Sequence, residues 1–230
     1  MKPKKRSKPT QKIRNFLQQF VIGLLVLISL VSIAAIITLN LTFIYPWISR
    51  HYELDILTGL DHETLLYNYR RIIQYTNWSW ITTLYMPDFP MSETGEFHFW
   101  EVKVIFQFLQ AISLLFVIWL LISIRKRWQL LKYFNASANL TILIFGIFLS
   151  IMIIDFDFFF YWFHRAFFNN DYWIFNPRYD PIIRALPAEL FMIKGFIITG
   201  LLFFVAVVVK ILYIRKKRKS RAKKKIPRFS

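Results

Sequence analysis

The chain has no cysteine, so its four histidines, His51, His62, His98 and His164, are the side chains suited to moving protons near neutral pH. Two of them sit in dense polar-aromatic strings. One is His98-Phe99-Trp100-Glu101-Val102-Lys103. The other is Phe163-His164-Arg165, running on to Asn169-Asn170-Asp171. Glu101 follows His98 by three residues and would share its helix face. At about 100° per residue, Asp157, Tyr161 and His164 also share one helix face. A second use for Asp155 and Asp157 is to cap a helix or pair with Arg165 or Arg184. Two histidines brought together can serve as general base and as acid or oxyanion donor. A metal site is the competing use, with His98, Glu101, His164 and an aspartate as ligands. No His-x-x-x-His or cysteine pair presets such a chelate, so neither a metal nor a cofactor is expected. Ser49, Ser79 and Ser92 lie in no Gly-x-Ser-x-Gly elbow, which leaves no obvious serine nucleophile. His51 and His62 lack comparable neighbours and read as surface residues.

The elements that must position these groups are membrane spans. The chain is 56% hydrophobic and 19% aromatic, yet its formal net charge is +17. The charge sits in blocks flanking apolar runs, the positive-inside pattern, and not on a folded basic face. Nucleic-acid binding is therefore not expected. Four spans follow from runs of roughly 20 or more apolar residues: about 16–45, 104–124, 140–161 and 191–213. They enclose outer segments 46–103 and 162–190 and leave basic tails at 1–15 and 214–230. All thirteen acidic residues and all four histidines then fall on one side. Most Lys and Arg fall on the other, which places both termini in the cytoplasm. The expected fold class is an all-α integral membrane protein with a helical and irregular outer cap. Within that cap, Asp61 is a plausible N-cap for a helix reaching Tyr75. The basic tail suits anionic membrane lipids.

Four strings between these spans resemble the bacterial lipoprotein intramolecular transacylase family: Met86-Pro-Asp-Phe-Pro90, His98-x-x-Glu101-Val-Lys103, Phe163-His164-x-x-Phe-Phe-Asn169-Asn170-Asp171-x-Trp173, and Asp180-Pro-Ile-Ile-Arg184-x-Leu-Pro187. The resemblance covers about residues 15–213. It implies a plasma-membrane acyltransferase acting at the outer leaflet interface on diacylglyceryl lipoproteins. The sn-2 acyl chain would move to the α-amino group of the N-terminal cysteine, giving the lyso-form. The family's two essential histidines fall on His98 and His164. Glu101 stands where aspartate is expected in many relatives, which keeps the carboxylate and lengthens its reach. On this reading His164 is the general base and His98 the proton donor or oxyanion partner. Glu101, Asp157, Tyr161, Arg165 and Asp171 support them. The substrate amine is the nucleophile, so the enzyme needs none of its own. The rival readings are a non-enzymatic structural or lipid-binding membrane protein and a His/carboxylate metalloenzyme.

Overall fold

Large apolar side chains point outward along much of every long helix, as they do where lipid replaces water. In the computed structural model, which describes residues 9–225, all regular structure is helical. The order is α1 (Pro9–Leu39), α2 (Ile44–His51), α3 (Leu54–Thr58), α4 (His62–Asn77), α5 (Glu93–Ser123), α6 (Arg127–Ile154), α7 (Phe156–Phe167) and α8 (Ala188–Lys225). Short 3-10 turns lie at Ile124–Lys126 and Pro181–Ala185.

Among the described residues, three helical stretches are long and apolar enough to cross a membrane: Gln11–Leu39, Glu93–Ile154 and Ala188–Ala222. The middle one, at 62 residues, would reach about 93 Å if straight. It is not straight. The rings of Phe116 and Phe134 lie 6.1 Å apart, whereas the same two positions on one straight helix would be roughly 27 Å apart. The chain folds back at the 3-10 turn that carries Arg125 and Lys126. α1 packs against α5, α6 and α8, and α6 also packs against α8. Small residues permit the close approach of α1 to α6. A Cβ at Gly23 would stand 2.7 Å from that of Ala136.

On the histidine side the chain builds a compact cap with its own core. Tyr45, Ile48, Leu54, Leu65, Tyr69 and Ile72 bury together with Phe89, Phe99, Ile182 and Leu190. Asp61 caps α4, accepting the backbone N–H groups of Glu63 and Thr64 at 2.9 Å each, so the expected helix start is observed. Gly59 closes α3 with φ 73°, a left-handed conformation that glycine adopts without a Cβ penalty.

Two expected span ends lie elsewhere. α1 stops at Leu39, not near residue 45. Tyr45 instead belongs to α2, where it is buried and its hydroxyl donates to the Ala185 carbonyl at 2.9 Å. Lys194 of α8 donates to the Thr38 and Leu39 carbonyls at 3.0 and 3.3 Å. It satisfies orphan carbonyls at the negative end of α1. The helix expected over 140–161 is interrupted at Asp155, whose backbone turns extended (φ −155°, ψ 97°). Its carboxylate accepts the Phe158 N–H at 2.9 Å and starts α7. The capping use of Asp155 is therefore the one realised, since an N-cap carboxylate both fills an orphan donor and faces the positive helix end.

Candidate functional site

His98 is held by the first turns of α5. At about 1.5 Å per residue the 31 residues of α5 reach roughly 46 Å, well beyond a hydrocarbon core of about 30 Å. That length leaves room for the N-terminal turns of α5, His98 included, to precede the expected span 104–124. Ser92 caps the helix, its hydroxyl accepting the Gly95 N–H at 3.1 Å. Buried Asp180 then locks that cap from the second outer segment. Its carboxylate accepts the Ser92 N–H at 2.8 Å and the Ser92 hydroxyl at 2.9 Å. Gly95 is required there, because a Cβ would run into the Asp180 carboxylate. Lower on the same helix, buried Lys103 donates to the Ile81 carbonyl and lies over the Tyr75 ring, 4.2 Å from its centroid.

The His98 ring is 7% exposed and packs edge-on to Phe168 and Phe175 at 4.7 and 5.7 Å. Its Nδ1 lies 3.8 Å from Glu101 Oε2. Both atoms are buried without another partner in the structure. Glu101 is itself fixed, because its Oε1 accepts from Asn170 Nδ2 at 2.9 Å. Burial pulls the His98 ring well below the ordinary histidine range, and the facing His164 adds to this.

His164 belongs to α7. Its Nδ1 lies 2.8 Å from the Phe160 carbonyl oxygen. A carbonyl can only accept, so Nδ1 carries the proton and donates. In the neutral ring, Nε2 is then a bare acceptor. Trp173 stacks on the imidazole at 4.7 Å, and Phe160 lies against it at 4.1 Å, tilted by 45°. Burial lowers its pKa, and the bond to the Phe160 carbonyl opposes this in part. The ring centroids of His98 and His164 are 6.0 Å apart, tilted by 38°. Two imidazoles this close can serve one bound substrate as base and as acid.

The remaining expected residues spread around this pair. Tyr161 is exposed on α7 and meets Trp173 edge-on at 5.6 Å, which braces the ring that stacks on His164. Arg165 and Asp171 form an exposed ion pair at 2.8 Å that closes the loop after α7. Asp157 is exposed in the first turn of α7. No hydrogen bond joins Asp157 to His164; the Phe160 carbonyl orients that ring instead. Three residues went unassigned in the sequence. Asn170 and Trp173 stand inside the second string, and Asp180 opens the fourth, but only the folded chain shows what they touch.

The other histidines lie apart from this pair. His51 stacks on Trp47 at 5.0 Å. His62 Nδ1 is 2.7 Å from Ser49 Oγ, and its Nε2 is 3.8 Å from Asp55. That order imitates a serine-hydrolase triad. Ser49 is 0% exposed, however, so no substrate carbonyl can reach it. The contact ties α2 to α4. Among the described residues, no three of His, Asp and Glu converge as a metal-holding group.

A family model described as lipoprotein intramolecular transacylase Lit matches residues 20–191. No curated protein matches the chain. Among solved structures, the membrane integral lipoprotein intramolecular transacylase Lit from Bacillus cereus is 25% identical. It covers 92% of this chain and 99% of its own, with a TM-score of 0.81. Two variants of that protein, with one histidine replaced by arginine or by alanine, are also similar, each with a TM-score of 0.71. They are 26% and 25% identical and cover 92% and 93% of this chain and 96% and 98% of their own.

Proposed function

The chain belongs to the lipoprotein intramolecular transacylase family, and we propose that its reaction is carried by the pair His98 and His164. The observation that carries this is the 6.0 Å approach of two imidazoles supplied by separate helices. The histidine-substituted structures of the Bacillus cereus protein support a histidine role.

In the proposed step, the α-amine of the lipoprotein's N-terminal cysteine attacks the sn-2 ester carbonyl. The new bond is C–N, and the bond broken joins the acyl carbon to the glyceryl oxygen. His164 Nε2 takes the proton from the attacking nitrogen. His164 passes that proton to His98, which gives it to the departing glyceryl oxygen, so both rings end neutral as they began. Glu101 faces the His98 ring and steadies its protonated form while it acts. An α-ammonium has a pKa near 8, so a neutral imidazole is matched to it. Amine and ester belong to one substrate, so positioning supplies much of the acceleration. Asn170 holds Glu101, Trp173 and Tyr161 brace His164, and Arg165–Asp171 closes the loop over them. No step requires a metal or cofactor.

The protein is an integral membrane protein. Our finer reading is four transmembrane helices, α1, α5, α6 and α8, with both termini cytoplasmic and the histidines at the outer leaflet interface. The fold-back at Arg125–Lys126 and the one-sided acids support it. Single cysteines at Ser92 and Ser220, treated with an impermeant thiol reagent on intact cells, test the orientation. Labelling at Ser220 and not at Ser92 inverts it. For the reaction, mass spectrometry of a diacylglyceryl lipopeptide incubated with the purified protein in excess chelator should show the lyso-form. Loss in chelator, restored by one added metal, would transfer the chemistry to a metal site.

A further inference from the structure

At the end of the bundle opposite the histidines, α6 and α8 meet through an aromatic pair. Trp128 and Tyr213 stack at 5.7 Å with their planes 6° apart. Ammonium groups gather on this pair from both helices. Lys132 lies 5.7 Å and Lys216 5.2 Å from the Trp128 centroid. Lys217 lies 5.8 Å from that of Tyr213. Two cations drawn to one indole repel each other, and nothing in the protein offsets this. All thirteen acidic residues of the chain precede α5, lie in its first turns, or fall between Asp155 and Glu189. None is within reach of this end, about 36 Å along α8 from Glu189 at 1.5 Å per residue. Lys210, one turn before Tyr213, spends its ammonium on Asn139, so it also finds no carboxylate.

We propose that Trp128, Tyr213, Lys132, Lys216 and Lys217 form a headgroup site for an anionic phospholipid in the leaflet opposite the active site. Half-buried rings at a helix–helix seam place the site at headgroup depth, where indole and phenol rings anchor. The phosphate supplies the missing negative charge between the two helices, and the acyl chains run into the bilayer beside them. The site is distinct from diffuse attraction to the basic tail because its cations come from two helices and are registered on one ring pair.

The test uses the full-length protein in nanodiscs of phosphatidylcholine doped with phosphatidylglycerol. Retention of phosphatidylglycerol through native mass spectrometry is the readout. The wild type should retain it over phosphatidylcholine. Lys132→Gln with Lys216→Gln should lower retention about tenfold or more. Lys12→Gln with Arg14→Gln removes the same charge from the end of α1 and should leave retention unchanged. Glycerol phosphate added in solution should not displace the lipid. Equal loss in both double variants, or no preference in the wild type, overturns the site in favour of diffuse attraction. Displacement by glycerol phosphate reassigns it to a free phosphate. Transacylase activity of the Lys132/Lys216 variant, measured in parallel, separates this site from the histidine pair, because the pair needs neither lysine.

Discussion

The two histidines are held in different ways. His98 rides on the first turns of α5, which are sunk in the cap core and locked by Asp180 onto Ser92. His164 rides on α7, none of whose residues is buried. One ring is fixed by packing against Phe99, Phe168 and Phe175. The other is fixed by a single carbonyl, the stacked Trp173 ring and the tilted Phe160 ring. The contrast suits the roles proposed for them. A donor to developing charge must be placed before the reaction, since reorganisation would consume its advantage. A base needs only its bare nitrogen aimed at an incoming amine, and a lightly packed helix lets the substrate approach.

Breaking the fixed side should have the larger effect. Gly95→Ala drives a Cβ into the Asp180 carboxylate. Overpacking against a buried group of this kind costs about 1–3 kcal/mol. Activity should fall more than tenfold as His98 loses its register. Asp180→Ala should do the same by freeing the Ser92 cap, and the double variant should be no worse than either single one. Full additivity in thermal unfolding and turnover would show that the two positions act separately.

The next effect concerns proton affinity. Both rings have lowered pKa values by burial, so both stay neutral below the ordinary histidine range near 6.5. The pH–rate profile should therefore rise toward about 8 as the substrate amine deprotonates, with no second break near 6.5. The same shift has a stability consequence. Below about pH 6.5 the unfolded chain binds protons that the folded rings refuse, so stability declines as pH falls from there. A rate break at 6.5 would mean that one ring is solvated.

Away from the two rings the effects shrink. Asn170→Ala should cost about tenfold, because Glu101, which faces His98, loses the Asn170 hydrogen bond. Arg165→Ala removes an exposed pair worth about 0.2–1 kcal/mol, and turnover should change less than threefold. Asp157→Asn should change turnover least, since no bond ties Asp157 to the ring. A large loss there, with the Phe160 contact intact, would restore Asp157 as the brace of His164.

The readable part of this molecule was the part governed by local rules. Hydropathy placed the long helices, and Asp61 placed α4. What was hidden depended on distant partners. Tyr45 left its apolar run because Ala185 and the cap core hold it. Asp155 ended α6 where apolar sequence continued, since its carboxylate gains more as a cap than it loses by breaking the helix. Asp180 looked like a loop residue beside a proline, and only its 88-residue reach to Ser92 gives it a role.

The most direct measurement is conversion of a diacylglyceryl lipopeptide to its lyso-form by four alanine variants at matched membrane levels. His98→Ala should lose about 2.7–4 kcal/mol of transition-state stabilisation, the scale for one such donor. His164→Ala should abolish transfer. His51→Ala and His62→Ala should stay near wild type, because neither ring reaches the pair. A fully active His164→Ala protein would contradict the account.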